Sequence, residues 1–506
     1  MPRLRMPRPR APILRTIARI RYQGETSSDG LAVTGDQGVS LQSSEAPGGQ
    51  AGAPAVAASK PALAGWVLFD WAVQPFYTLI LTFLFAPYFA NVVVGNAAEG
   101  QKIWGYAAAV AGILVAIACP LLGAVADNGG RRKPWVALCG LVLAAAMAGL
   151  WLAKPGSTGT TLWLVVACFV LATIAAECAS VFVNAIMPTL VPPAQIGRLS
   201  GFGFGVGYAG GLVSLALIAG LVVADPATGK TLLGFDPLFK LDAASREGDR
   251  LVGLFAAAWF LVFVIPFFLF VPDQPRPRVA GTGVSPVQAL WSTLKELPSH
   301  RDMFFFLLAR AIYADGLSAI FTFGGIYGAS VFDWQTGDRG LFGIILVLTG
   351  IFGAVIGGFL DDRIGSKRVI LGALVVLLAG AVGILSVTRT SALFSIDIVP
   401  KVAGAGAFAS TGERIFLGFA MLVALVAAPV QAASRSLLTH LAPPERMTQF
   451  FGLFAFSGKV TAFMAPFLIA EVTRISGDQR IGMAVIAAFL ILGFLLLLPV
   501  RSTRQP

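Results

Sequence analysis

The chain has 506 residues, of which 56% are hydrophobic and only 12% charged, with a mean hydropathy of +0.79. That excludes an ordinary water-soluble fold, in which roughly a quarter of the residues are charged. A net charge of +11 would suit nucleic acid, but the basic residues lie in loops and tails, not along one face between aromatic residues, and no nucleic-acid partner is expected.

In chain order, the first element is an Arg- and Pro-rich stretch from Pro2 to Arg21, followed by an Ala/Gly/Ser/Gln/Pro run to Lys60. Neither can build a core. Lacking the continuous apolar stretch of a cleavable signal, residues 1–60 are expected to stay as a disordered cytoplasmic tail. Six apolar stretches of membrane-crossing length follow: Trp66 to Val93, Ile103 to Val125, Trp135 to Leu152, Leu162 to Ile186, Ser200 to Val223 and Leu251 to Val271. The stretch 272–302 is too charged and Pro-rich to enter a bilayer and reads as a cytoplasmic linker. Six more spans run Met303 to Val331, Gly340 to Leu360, Val369 to Val387, Ile415 to Val430, Phe450 to Val472 and Ile481 to Val500. The expected fold is an all-α membrane protein with twelve transmembrane helices in two six-helix bundles, residues 61–271 and 303–500, and a short tail at 501–506. Lys and Arg are in excess on the side of the N-terminus, which predicts both termini in the cytoplasm, in a bacterial-type plasma membrane.

Two internal repeats support two related halves. The loop after span 2 carries Gly123, Asp127, Gly130, Arg131, Arg132 and Lys133; the loop after span 8 carries Gly358, Asp362, Arg363, Gly365, Lys367 and Arg368 in the same order. Leu190, Pro192 and Pro193 ahead of Gly201 recur as Leu441, Pro443 and Pro444 ahead of Gly452. In the first repeat the aspartate stands at a helix end, where it can accept hydrogen bonds from a neighbouring helix N-terminus or pair with an arginine, while the glycines permit a tight turn and close packing. Such a contact can latch two bundles in one state and release them in another; for the basic residues the alternative is simple topology anchoring.

The loop pattern is that of the major facilitator superfamily. Within it the chain resembles the vacuole-effluxer group related to autophagy-associated amino-acid exporters, on Gly65 to Ala72 opening span 1, Val181 to Pro188 ending span 4, Ile196 to Gly211 opening span 5, and Leu308 to Gly316 in span 7 with Phe323 to Tyr327 after it. It departs from the group at Val73-Gln74 and at Ala314, where the group carries amide side chains. The resemblance implies export of amino acids or similar small zwitterions.

Candidate solute- and ion-binding residues are polar groups inside the spans. Asp70, Gln74 and Tyr77 fall on one stripe of span 1, with Pro75 expected to kink it; Glu177 and Asn184 share a face of span 4; Arg310 and Asp315 lie within span 7, and Lys459 within span 11. An ionisable group at mid-bilayer costs at least about 2.5–3.5 kcal/mol, so each needs a partner or a function. Asp315 with Arg310 or Lys459 would suit a zwitterion, and Asp315, Glu177 or Asp70 would serve proton coupling. Gly203, Gly207 and Gly211 form a small-residue seam for close helix packing. The chain has no phosphate-binding Gly-Lys-Ser/Thr loop to couple transport to a nucleotide. The four cysteines sit in apolar blocks without metal-site spacing, so neither a metal nor a cofactor is expected, and no clustered acid and base residues suggest an enzyme. The expected function is secondary active transport by alternating access; the alternatives are efflux of lipophilic, drug-like compounds and a non-transporting sensor or scaffold. The expected partners are a small solute, the lipid bilayer and protons.

Overall fold

The computed structural model describes residues 58–224, 228–273, 285–334, 336–402 and 406–501. Residues 1–57 of the expected tail, 274–284 of the linker and 502–506 lie outside the described residues.

Among the described residues, eleven helices are long and apolar enough to cross a membrane: α1 Lys60–Val93, α2 Ala97–Gly129, α3 Lys133–Leu152, α4 Gly159–Thr189, α5 Pro193–Leu221, α6 Glu247–Phe270, α7 Arg301–Phe332, α8 Gly337–Ile364, α9 Ser366–Leu385, α10 Thr411–Leu441 and α12 Gln479–Leu497. The twelfth segment, α11, is interrupted and runs as Met447–Ser457 and Met464–Ser476. Helices α1–α6 pack as one bundle and α7–α12 as the other, joined across by α2 on the first half of α11 and by α5 on α8 and α10. Lipid-facing stripes are left outside, as on α2, where Tyr106, Val110, Ile113 and Ile117 recur at helical spacing and are about half exposed or more. The β-structure described is a two-stranded hairpin pairing Ser391–Ala392 with Ile396–Asp397 in the α9–α10 connection, and one isolated bridge.

Three departures from the sequence reading have local causes. At Pro75 the α-helical pattern of α1 gives way to a π-helix over Phe76–Phe83. Pro75 has no N–H for the carbonyl of Trp71, and the Trp259 indole of α6 donates to that carbonyl instead, at 3.1 Å. Second, α10 runs eleven residues beyond the expected end at Val430, because Gln431, Ser434 and Arg435 lower the hydropathy there while lining the space between the bundles. Third, the linker contains a helix, Pro286–Glu296, opened by a Ser285–Gln288 capping box.

The interruption of α11 is stabilised from α7. The Gly458 N–H bonds to Ala455 instead of continuing the α-helical pattern, and Arg310 donates to the carbonyl of Phe454 at 2.6 Å and to the Ser457 hydroxyl at 2.9 Å. Within the break, Thr461 donates to the carbonyl of Ala311 on α7 at 3.2 Å.

Candidate functional site

The two repeats meet crosswise. Gly123 on α2 lies against the start of α11 so closely that a Cβ there would come within 2.7 Å of the Thr448 carbonyl oxygen, and Gly452 is equally tight on Pro120. On the other side, a Cβ on Gly201 would stand 2.5 Å from the Ala354 carbonyl oxygen and 2.7 Å from Gly358 Cα. Each Gly–Asp loop therefore docks on the proline–glycine motif of the opposite half, where only glycine permits backbone-to-backbone approach.

On this platform sit two latches. Asp127 accepts from the Thr448 and Gln449 N–H groups at 3.2 and 2.9 Å, at the N-terminus of α11, and from Arg132 at 3.1 Å. Arg132, only 7% exposed, also donates to Thr448 Oγ1 at 2.7 Å and to the Ala185 carbonyl at 2.9 Å. In the second latch Asp362 accepts from the Arg198 N–H at 3.2 Å and its Nε at 2.6 Å, at the start of α5. Gly130 and Gly365, at φ 80° and 90°, make the turns that follow. Arg131 and Arg363 are exposed, and Lys367, which aligns with Arg132, instead donates to the Leu498 carbonyl of its own bundle at 2.7 Å.

Above the latches a third lock crosses the middle of the molecule. Arg435, beyond the expected end of the tenth span, projects from α10 into the N-terminal bundle and reaches three of its helices. It donates to Asp70 on α1 at 3.3 Å, to Asn184 on α4 at 2.9 Å, and to the Ser200 hydroxyl and carbonyl on α5 at 2.9 and 2.8 Å. Its guanidinium lies between the rings of Trp66 and Phe204, 4.9 and 4.7 Å from their centroids, contacts worth about 0.5–2 kcal/mol each. Gly203 leaves room for it: a Cβ there would come 2.6 Å from Asp70 Oδ2 and 3.0 Å from Arg435 Nη2. The spacing of Gln431, Ser434 and Arg435 was a signal that could have found this polar face.

A fourth contact, Lys459 to Glu177 at 2.9 Å, joins α11 to α4 across the bundles. Replacing either residue by a neutral one is expected to cut solute uptake at least about tenfold, because each leaves a charge without its partner inside the membrane. The double replacement Glu177→Gln with Lys459→Met should restore much of the loss, and uptake by the three variants measures the coupling.

The other candidates separate. Gln74 packs against Gly207 and Gly211 of α5, and Tyr77 lies beside Ser180 and Glu177. Asp315 is 2% exposed, forms no ion pair among the described residues, and its Oδ2 has no hydrogen-bond partner. The expected grouping of Asp315 with Arg310 or Lys459 around a zwitterion is therefore not formed. Arg310 caps the carbonyl end of the first half of α11, and Lys459 is held by Glu177.

Between the bundles lies a cavity of about 670 Å³ lined by Asn184, Arg310, Tyr313, Gln431, Ser434 and Arg435 among others. Its rim away from the latches, at Thr82, Ser318, Phe321 and Thr322, is exposed, while the latch end is sealed by the contacts above. The cavity is thus open at one end and shut at the other.

This architecture has known counterparts. A fucose:proton symporter, FucP, solved in its outward conformation superposes with a TM-score of 0.65 at 14% identity over 88% of this chain and 99% of that one. A bacterial homologue of the iron transporter ferroportin in an outward-facing state gives 0.62 at 14% identity, over 88% and 99%. The Major Facilitator Superfamily model matches residues 23–215, and the protein is an integral membrane transporter of that fold, not an enzyme. Within the superfamily the chain belongs to the family described as Vacuole effluxer Atg22 like, whose model matches residues 194–505. Relatives include the uncharacterized MFS-type transporter YxiO of Bacillus subtilis, 26% identical over 85% of this chain and 93% of its own. Autophagy-related protein 22-1 of Penicillium rubens is 24% identical over 60% of this chain. The chain spans about half the length of that fungal relative, 48%.

Proposed function

We propose that the protein is a secondary transporter that exports a small polar solute by alternating access, with amino acids as the class the family resemblance implies and protons as the coupling ion. The observation that carries this reading is the cavity between the bundles, shut at one end by Arg435, Asp127 and Asp362 and exposed at the other. The contacts that shut it are hydrogen bonds and ion pairs between two rigid bundles, which can be exchanged for others without unfolding either. The excess of Lys and Arg on the latch side supports both termini in the cytoplasm of a plasma membrane, which makes this an outward-open state. Efflux of lipophilic, drug-like compounds is the weaker reading, because the cavity wall carries two guanidinium groups and several neutral polar side chains.

Asp315 is the group proposed to carry the proton. It is buried in α7 and forms no ion pair among the described residues, so gaining or losing a proton changes the net charge inside the bundle, and groups of this kind mark proton relays in transporters. In proteoliposomes loaded with an amino-acid mixture, an imposed pH gradient is expected to drive solute movement in the wild type. Asp315→Asn should retain solute counterflow while losing the gradient-driven component. Unaltered pH dependence in that variant would remove Asp315 from the coupling step, and absence of flux for every amino acid would remove the amino-acid reading.

A further inference from the structure

The charges that line the cavity are unbalanced. Its wall contains two guanidinium groups, Arg310 and Arg435, and no aspartate or glutamate among the described residues. The two differ in what they have left to offer. Every nitrogen of Arg435 is engaged, and its charge is met by Asp70. Arg310 spends only Nη1, on the Phe454 carbonyl and the Ser457 hydroxyl. Its Nε and Nη2 have no hydrogen-bond partner among the described residues, and no carboxylate lies within ion-pair distance. The nearest candidates are occupied or withdrawn, Glu177 by Lys459 and Asp315 by burial outside the cavity lining. The guanidinium is also held in place: it lies on the Phe454 ring with its carbon 3.4 Å from the centroid, and a Cβ on Gly458 would come 2.7 Å from Nη1.

A fixed guanidinium with a free edge in a membrane-embedded cavity is a fork for a planar anion, and a carboxylate matches it with two parallel hydrogen bonds. We infer that the solute is recognised through a carboxylate docked on the free edge of Arg310, and that the site makes no demand for an amino group. This rests on the transport reading above and narrows it: the accepted class is small carboxylates with a polar or aromatic body, of which amino acids are one subset and the corresponding 2-oxo acids another. No lining carboxylate is available to hold an ammonium group. The remaining polar contacts are neutral, Asn184, Tyr313, Gln431 and Ser434, and the aromatic ones are Phe204, Phe321 and Phe454.

The test uses the full chain in detergent and matched triples that share a side chain: phenylalanine, phenylpyruvate and phenethylamine; alanine, pyruvate and ethylamine; and the equivalent set for each remaining aliphatic amino acid. Binding is read as a rise in unfolding temperature with ligand concentration. For each side chain that binds, the amino acid and the 2-oxo acid are expected to agree within about threefold in apparent Kd, with the amine at least about tenfold weaker. Arg310→Gln should weaken both acids at least about tenfold while eluting as the same monodisperse species as the wild type, and Arg310→Lys should recover part of the loss. Binding of the amine as tight as the amino acid, failure of the 2-oxo acid where the amino acid binds, unchanged affinity in Arg310→Gln, or no binding in any triple would each overturn the assignment. Counterflow with a complex metabolite extract, read by mass spectrometry of the vesicle contents, decides the transport reading separately. A solute without a carboxylate that is moved by the protein would end this inference and leave that reading standing.

Discussion

Replacing Arg435 by glutamine is expected to reduce solute uptake at least about a hundredfold while leaving both bundles folded. This side chain alone ties α10 to three helices of the other bundle, and its loss strands Asp70, whose side chain is 22% exposed in the closed lock. Breaking one partner of a buried ion pair costs about 3–5 kcal/mol, mostly through the charge left behind. Within each bundle the apolar packing is untouched, so the cost falls on the balance between conformations and not on folding. Arg435→Lys should rescue poorly, because one ammonium cannot span Asp70, Asn184 and both oxygens of Ser200. Pairing Arg435→Gln with Asp70→Asn removes the stranded charge and should recover part of the conformational balance. Uptake in proteoliposomes together with thiol labelling of a cysteine placed at Ala185, which is fully buried at the latch end, checks both points; wild-type flux in Arg435→Gln would show that the lock is incidental.

The second large effect belongs to Asp127. Asp127→Ala removes two backbone hydrogen bonds at a helix N-terminus and the partner of an arginine that is almost fully buried. Hydrogen bonds to a charged group contribute about 1.5–3 kcal/mol each, net of the exchange with water. The latch-closed conformation should lose on the order of 3 kcal/mol, roughly a hundredfold in the conformational equilibrium. Asp362→Ala should do much less, about 1 kcal/mol, because its partner Arg198 has 43% of its side chain exposed and water can replace the contact. Labelling of single cysteines at the latch end reports the shift. Equal effects at the two aspartates would contradict the difference in burial between their arginine partners.

Much of the fold is legible in the sequence because a bilayer imposes a length: apolar runs of about 20 residues can be read one by one. The ends of the spans are not. Hydropathy cannot distinguish a polar residue in a loop from one on a helix face turned towards another bundle, and so the reading stopped α10 at Val430, short of Arg435. The break in α11 was hidden for the converse reason: Gly458 to Phe463 is apolar enough to read as continuous helix, and it is interrupted because Arg310 takes the Phe454 carbonyl. Both repeats were visible, but not that each docks on the other's partner, since that is a relation between halves of the chain. That Lys459 and Glu177 each need a partner follows from the cost of an unpaired charge in a membrane, but not that they are each other's. Arg310 and Asp315, five residues apart on one helix, project about 140° from each other, and the cavity lining contains Arg310 but not Asp315.

Alternating access requires that the two bundles move as bodies about the cavity, opening one end as the other closes. Distances between spin labels across each end test it most directly, with one pair at Arg131 and Arg363 beside the latches and another at Gln101 and Leu341 at the opposite end. Addition of transported solute is expected to lengthen the first distance and shorten the second in the same population of molecules. If both distances hold still, or both move in the same direction while solute is being transported, alternating access by rocking bundles is contradicted.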